Sequence, residues 1–533
     1  MLRLRAARFV DHPSRVHVYA WGAPVATFDA RPGGYRVYEF PLAAGKGPAR
    51  LDIVSEDPDL AVAVDWVRVE GVGWQVPLSL WTSRVLVAGV FLVALFAGFS
   101  TAGAAAAGGI LALAQAAWAA ADPFAFAHVA ARVALPALAL TALVAGLARR
   151  WEGGRWLVLI FLAGHLLKGA ALFHPSYFYN DVRNNLRYVL ALRDGRGSLP
   201  ERNRAAQVQV GVAYPRTVAG RPYAFPYAPV FFLPFGLLPE GRIVEAIKQV
   251  ALFCAAAETV AVFALARLLG GSGAGVAAAL LAALLPPLYS RLLLAMWSTV
   301  AGHFLDTLVI LATTLMATRP SRRLWLAQVG GTLAAFLTYI SSLFNLTLFT
   351  GFAALLCRPL AGWLLAGWAA SVTVTVGWLY ADFVALFVRE ILPAALSGGR
   401  MAGEGSGGGV LAALSRIPIF YGWGYPALAL AGFVRLRRRA PRPLFRILAA
   451  YALAFVTLVL LRALAGGLFR DLKEIEFAAP LVAVTAGAAV AEIAVRDRRA
   501  FRAAALVVVG LAAFSFSRYA EYLRTYASLA GLP

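Results

Sequence analysis

RWLVLIFLAGHLLKGAALF, residues 155–173, runs directly into HPSYFYNDVRNNLRYVLAL, residues 174–192, and this junction decides the fold. The first half is apolar almost throughout and, as a helix, long enough to cross about 30 Å of hydrocarbon. The second half leaves that environment through a cluster of aromatics and places an acid, Asp181, just before two asparagines and two arginines.

Similar apolar runs recur outward from this one. They lie near 84–101, 104–121, 129–148, 155–173, 243–267, 274–290, 298–317, 323–341, 343–357, 361–387, 411–434, 444–465, 477–495 and 500–517. Hydrophobic residues make up 61% of the chain and charged residues 14%, with a mean hydropathy of +0.72. A soluble fold of this size could not hide so much apolar surface. The expected architecture is a polytopic α-helical membrane protein of about fourteen transmembrane helices, preceded by a small N-terminal all-β sandwich domain.

That domain is expected over 1–78. RVHVYAWGAPVATF, GYRVYEFPL, ARLDIVSE and AVAVDWVRVEG are short β-rich runs with partial alternation, divided by Pro, Gly and Asp. Residues 79–150 add helices that anchor it, and a module over 151–520 carries the long loop 174–242, leaving 521–533 as a tail.

The net charge of +22 is not a nucleic-acid signal. Most of the arginines sit in short clusters between apolar runs: Arg149, Arg150 and Arg155; Arg319, Arg322 and Arg323; Arg358; RLRRRAPRPLFR (435–446); RDRRAFR (496–502). Alternating the spans puts all of these on one side, the cytoplasm by the positive-inside rule. The loops 174–242, 388–410 and 466–476 then face outward. The same alternation places the β-domain outside although no signal peptide or helix precedes it, and the reading favours a start upstream with a first helix missing. Cys254 and Cys357 form no CxxC, so neither a disulfide framework nor a cysteine metal site is expected.

In NDVRNNLRYVLAL the apolar Val182, Leu186, Val189 and Leu190 share one helical face, and Asp181, Asn184, Asn185 and Tyr188 another. An amphipathic helix at the membrane surface follows, with Asn180 as its N-cap and Asp181 in its first turn. An acid there is favoured by the helix dipole whether or not it does chemistry. The loop's charge balance argues for more. Nine arginines (183, 187, 193, 196, 202, 204, 216, 221, 242) face four acids (Asp181, Asp194, Glu201, Glu240), so an anion is expected there, and lipid phosphate is the nearest source.

An acid just past a membrane helix, a surface helix carrying a tyrosine, and FPYAPVFFLPFGLLP leading into the next span together resemble the C-type (GT-C) glycosyltransferase superfamily. Similarity is nearest to its bacterial polyprenyl-phosphate-mannose-dependent, family 87-like branch, whose members show an Asp-x-x-x-Tyr-like stretch and a Tyr-x-Pro segment. Here the acid is Asp181 with Tyr188 in place of a tyrosine four residues on, and the second segment is Phe225-Pro226-Tyr227-Ala228-Pro229. The resemblance covers roughly 151–495. It implies a seven-helix core followed by variable helices, in a multi-pass bacterial cell-membrane enzyme acting on the extracytoplasmic face. It also implies inverting transfer from a polyprenyl-phosphate-linked sugar to a glycan or lipid acceptor.

Such a transfer needs a carboxylate to take the acceptor's proton, and Asp181 is the candidate base. Cations belong near the leaving phosphate: Arg183 and Arg187 one turn apart, with Arg221, Arg291 and Lys473 as further candidates. Lys473, one of only four lysines, lies in the outer loop FRDLKEIEFAAP (469–480). Asn180, Asn184, Tyr188 and Tyr227 are expected to bind substrate. In AGHFLDTL (301–308), His303 and Asp306 stand where related enzymes carry a Gly-Gln-x-Asn-like pair, and an acid inside a span is a functional candidate by default. His165 and Lys168 are further polar residues within a span. Some relatives pair two acids in the first loop; here the neighbour of Asp181 is Asn180, so no metal ligands are assigned and a divalent cation stays open as a cofactor. GEGSGGG (403–409) lacks the context of a phosphate loop and reads as the tip of the 388–410 loop, a lid over the site.

Two other classes fit in part. A transporter or flippase of a lipid-linked saccharide would spread polar residues through facing helices and show internal symmetry, whereas this chain concentrates them in outer loops. A sensor or assembly component would depend on residues 1–78.

Overall fold

The computed structural model describes residues 2–7, 14–20, 23–31, 36–41, 51–56, 63–69, 78–175, 177, 179–210, 216–218, 221–223, 229–393, 417–464 and 473–529. Six strands come first: β1 (Leu2–Ala7), β2 (Ser14–Ala20), β3 (Ala23–Ala30), β4 (Arg36–Phe40), β5 (Leu51–Ser55) and β6 (Ala63–Val69). They form two antiparallel three-stranded sheets, in the orders β4-β1-β6 and β3-β2-β5. Leu2, Leu4 and Ala6 of β1 pack with Val16 and Val18 of β2 and Phe28 and Ala30 of β3 in one small core. The alternation Leu-Arg-Leu-Arg over residues 2–5 is that of a half-buried strand. β1 is thus a central strand, within the expected domain but ahead of the β-rich runs read in its sequence.

Apart from the short antiparallel pair β7 (Arg216–Val218) and β8 (Arg221–Tyr223), the main remaining elements among the described residues are helices: α1 (Leu78–Phe96), α2 (Thr101–Ala121), α3 (Pro123–Ala148), α4 (Gly154–Leu172), α5 (Asn180–Asp194), α6 (Leu199–Val210), α7 (Glu240–Leu284), α8 (Pro286–Leu293), α9 (Trp297–Thr318), α10 (Arg322–Thr338), α11 (Ile340–Leu356), α12 (Ala361–Val374), α13 (Ala381–Leu386), α14 (Gly424–Arg439), α15 (Arg442–Leu464), α16 (Lys473–Phe477), α17 (Ala479–Ala494) and α18 (Arg498–Leu529). Among the described residues ten helices are long and apolar enough to cross a membrane, and the chain is a multi-pass membrane protein. The expected count was about fourteen. One of the ten, Glu240–Leu293, takes in two expected segments, joined end to end with a kink where Gly271 adopts φ +84°. Three more expected segments form the shorter helices α10, α11 and α14, of 17, 17 and 16 residues.

Two apolar cores position the site. The larger joins α7, α9, α11, α15 and α17. The second joins α1, α3, α5 and α7 with Phe231, Phe232 and Phe235 and with Trp297 at the head of α9. Helix α5 is therefore fixed to the bundle by packing.

Candidate functional site

The short segment 294–296 between α8 and α9 organises the site. A helix end leaves carbonyls without partners along the chain; here side chains reach those of Leu293 and Ala295, and that of Leu292, which also accepts from the Ala295 N–H. Tyr177 Oη donates to the Leu293 carbonyl at 3.0 Å, Asn185 Nδ2 to the Ala295 carbonyl at 2.9 Å, and Trp297 Nε1 to the Leu292 carbonyl at 3.2 Å. Ala295 itself takes φ +53°, an uncommon state for a residue with a Cβ. Tyr177 and Asn185 stand four residues either side of Asp181, so both approaches to that acid are tied to one turn. The Lys248 ammonium lies 4.7 Å from the centre of the Tyr177 ring and steadies the first anchor.

Asp181 is half-buried in the first turn of α5. Asn184 Nδ2 donates to its Oδ1 at 3.2 Å. Burial pushes the Asp181 carboxyl above its ordinary range, and the Asn184 bond offsets only part of the rise. A half-buried carboxylate with this bias takes a proton more readily than a solvated one.

Several expectations on α5 are corrected. The cap position belongs to Tyr179, with extended backbone at φ −145° and ψ 138°, and Asn180 is the first helical residue. Tyr188 is not on an open polar face. It is 1% exposed, its hydroxyl donates to Asn203, and its ring meets Phe232 edge-on at 5.2 Å. Arg183 and Arg187 are exposed. Two and six residues beyond Asp181, they fall roughly 200° and 240° around the helix, on its far side. They do not share a side with the acid.

Arg291 sits in the last turn of α8, just before the anchored segment 294–296. Its guanidinium pairs with Glu476 of α16 and donates to Met296 Sδ. From Glu476 the polar contacts continue inward. His303 Nε2 stands 3.6 Å from Glu476 Oε2, and His303 Nδ1 stands 3.5 Å from Asp306 Oδ2. Asn345 of α11 donates to Asp306 Oδ2 at 3.1 Å. Thr307 donates to Glu258 of α7 at 2.9 Å, and Glu258 interacts electrostatically with His303, Asp306 and Lys168. Lys168 Nζ also donates to the Ala255 carbonyl at 2.7 Å. His303, Asp306, Glu258, Glu476 and Lys168 are all buried.

His303, Asp306 and Arg291, picked out separately in the sequence, thus belong to one cluster. Its central member, Glu476, was missed because EIEF reads as part of a charged loop. Glu258 was also missed, although an acid in the apolar run 243–267 is itself a signal. His165 is buried in α4, with its ring 5.8 Å from Phe161, and interacts electrostatically with Lys168 at the edge of the cluster. The last helix, expected near 500–517 with a tail over 521–533, runs on to Leu529, and its Tyr519 and Tyr522 meet Tyr289 of α8 edge-on at 5.4 and 6.1 Å. The expected roles of Tyr227 and of the 403–409 lid fall outside the described residues, as do the side chains of Asn180, Arg221 and Lys473. Among the described residues no group of three or more His, Cys, Asp or Glu is placed to hold a metal ion.

A few solved structures show limited similarity to this chain. ArnT from Cupriavidus metallidurans, bound to undecaprenyl phosphate, is 14% identical over 70% of this chain and 76% of its own, with a TM-score of 0.40. The oligosaccharyltransferase of Archaeoglobus fulgidus in its apo form is 12% identical over 70% of this chain, with a TM-score of 0.41, and the match spans 55% of its length. The same enzyme tethered to an acceptor peptide is 14% identical over 71% of this chain and 56% of its own, with a TM-score of 0.40. No protein-family model matches the sequence, and no curated protein does.

Proposed function

We propose that this chain is a membrane glycosyltransferase of the C type, moving a sugar with inversion from a polyprenyl-phosphate carrier to an extracytoplasmic glycan or lipid acceptor. The observation that carries the reading is Asp181: a half-buried carboxyl biased toward holding a proton, anchored on both sides to the turn that follows Arg291. In the reaction Asp181 takes the proton of the acceptor hydroxyl as its oxygen attacks the anomeric carbon. The bond from that carbon to the phosphate oxygen breaks, and polyprenyl phosphate leaves with the electron pair. Arg291 meets the charge that develops there, with Lys473 and Arg221 as further cations. Asn184 holds the base, and Tyr227 contacts the sugar. Mannose is the first donor to try, in a bacterial cell membrane with the site on the outer face.

A second reading, a transporter or flippase of lipid-linked saccharide, gains from the charges buried between α7, α9 and α16, which an enzyme working only at the surface does not need. One assay separates them. Purified protein in lipid vesicles is offered a panel of polyprenyl-phosphate sugars, and both transfer to an acceptor and movement of the lipid-linked sugar across the bilayer are followed. Transfer without movement supports the enzyme; movement without transfer replaces it with the transporter.

A further inference from the structure

The buried cluster contains a constraint on protonation that follows from its geometry. His303 has one ring nitrogen 3.5 Å from a carboxylate oxygen of Asp306 and the other 3.6 Å from one of Glu476. A neutral imidazole has a single N–H and can point it at one of the two; the second carboxylate would then face a ring lone pair. Only the imidazolium offers a proton to both.

The surroundings make that charge count. Facing His303 are Asp306 on its own helix, Glu476 on α16, Glu258 on α7, and the Tyr339 ring, edge-on at 5.3 Å. Behind them stand Lys168 beside Glu258, Arg291 paired with Glu476, Tyr451 within reach of Asp306, and Tyr421 within reach of Glu476. Among these described residues a charged His303 makes three cations, with Lys168 and Arg291, against three carboxylates. A neutral His303 leaves the carboxylates in excess around the acid that pairs with Arg291.

We infer that His303 and Glu476 are positioning residues for Arg291: a charged His303, clamped between Asp306 and Glu476, holds the Glu476 carboxylate that orients the guanidinium toward a phosphate group. The inference rests on the phosphate-binding role proposed above for Arg291. It makes anion affinity at the outer end of the bundle depend on a proton about two helical turns inside it. As pH rises and His303 loses that proton, the neighbouring carboxylates are left uncompensated and affinity for phosphate falls.

The test is binding to the full-length protein in nanodiscs across the neutral-to-alkaline range. The probe is an undecaprenyl-phosphate sugar, a diester whose charge is constant over that range. Inorganic phosphate and phosphatidylglycerol run in parallel, to tell a carrier-specific site from a general phosphate or lipid-headgroup site. Wild type should lose affinity with rising pH. His303→Gln should bind about tenfold more weakly at the lower end of that range and lose the pH dependence, and Arg291→Ala should lose both affinity and dependence. Asp306→Asn, which keeps the imidazole but removes one of its carboxylates, should keep the dependence with its midpoint at lower pH. It serves as the second variant should His303→Gln fail to fold. A His303→Gln variant that matches wild type at every pH overturns the inference alone, as does an unchanged midpoint in Asp306→Asn. Wild type that binds none of the three probes overturns the phosphate role of Arg291 as well.

Discussion

Asp181 is subject to two effects of opposite sign. Its place in the first turn of α5 favours the ionised form by about 0.3–1 kcal/mol at exposed sites. Burial favours the neutral form, and with only one Asn184 bond to offset it the carboxyl stays above its ordinary value of 3.8. A raised acid contributes stability that is present at low pH and lost as pH rises through its folded value. Replacing it with a permanently neutral amide therefore costs nothing at neutral pH: Asp181→Asn should melt no lower than wild type in a detergent thermal-shift series, whereas an acid kept only for the helix dipole would lower the melting point. For the reaction the sign reverses, since a base acts when ionised. The acid limb of the rate profile should lie above pH 3.8, shifted in the direction of the raised carboxyl. At this scale the sequence showed the acid and its helical neighbours. It could not show that Tyr188 turns inward to Asn203, or that Asn185 is an anchoring amide, because both depend on other segments of the chain.

The anchored turn is the element on which the site depends. Asn185 is buried, and removing its amide leaves the Ala295 carbonyl without its donor, at a cost of about 1–3 kcal/mol. Asn185→Leu should lower kcat more than donor affinity, because it frees the helix carrying Asp181 while Arg291 stays in place; an unchanged kcat would detach the anchor from the chemistry. Ala295 gives a sharper check. At φ +53° a β-branched side chain is a steric outlier, so Ala295→Val should destabilise by about 1–2 kcal/mol or more while Ala295→Gly is tolerated, both read from thermal melts. Helix α5 was legible from its alternating faces, and its bounds follow the pattern closely. The turn was not, since nothing in LLLAMWS marks a left-handed alanine. Strand β1 was obscured for a different reason: its outward arginines are what an alternating strand carries and also what a disordered basic start would show.

Across the whole molecule, small residues set how closely the helices approach. A Cβ added at Gly432 of α14 would overlap the Thr485 carbonyl of α17, and one at Gly487 of α17 would overlap the Ala278 backbone of α7. Without a hydrophobic drive between helices in lipid, such close backbone packing is a main source of association. Gly432→Ala and Gly487→Ala should each cost about 1–3 kcal/mol in the melt. Gly487→Ala should also weaken phosphate binding, since α17 follows directly on the segment bearing Glu476. The apolar periodicity foretold where nearly every helix lies, but not which polar residues inside them would meet. Glu258, His303, Asp306 and Asn345 come from three helices, and only their packing brings them together. The measurement that bears most directly on the whole account is single-turnover transfer from a polyprenyl-phosphate sugar, with donor binding followed in the same samples, for wild type and Asp181→Asn. The account expects the variant to bind donor as wild type does and to transfer at least about a hundredfold more slowly. Equal transfer rates in the two proteins would contradict it.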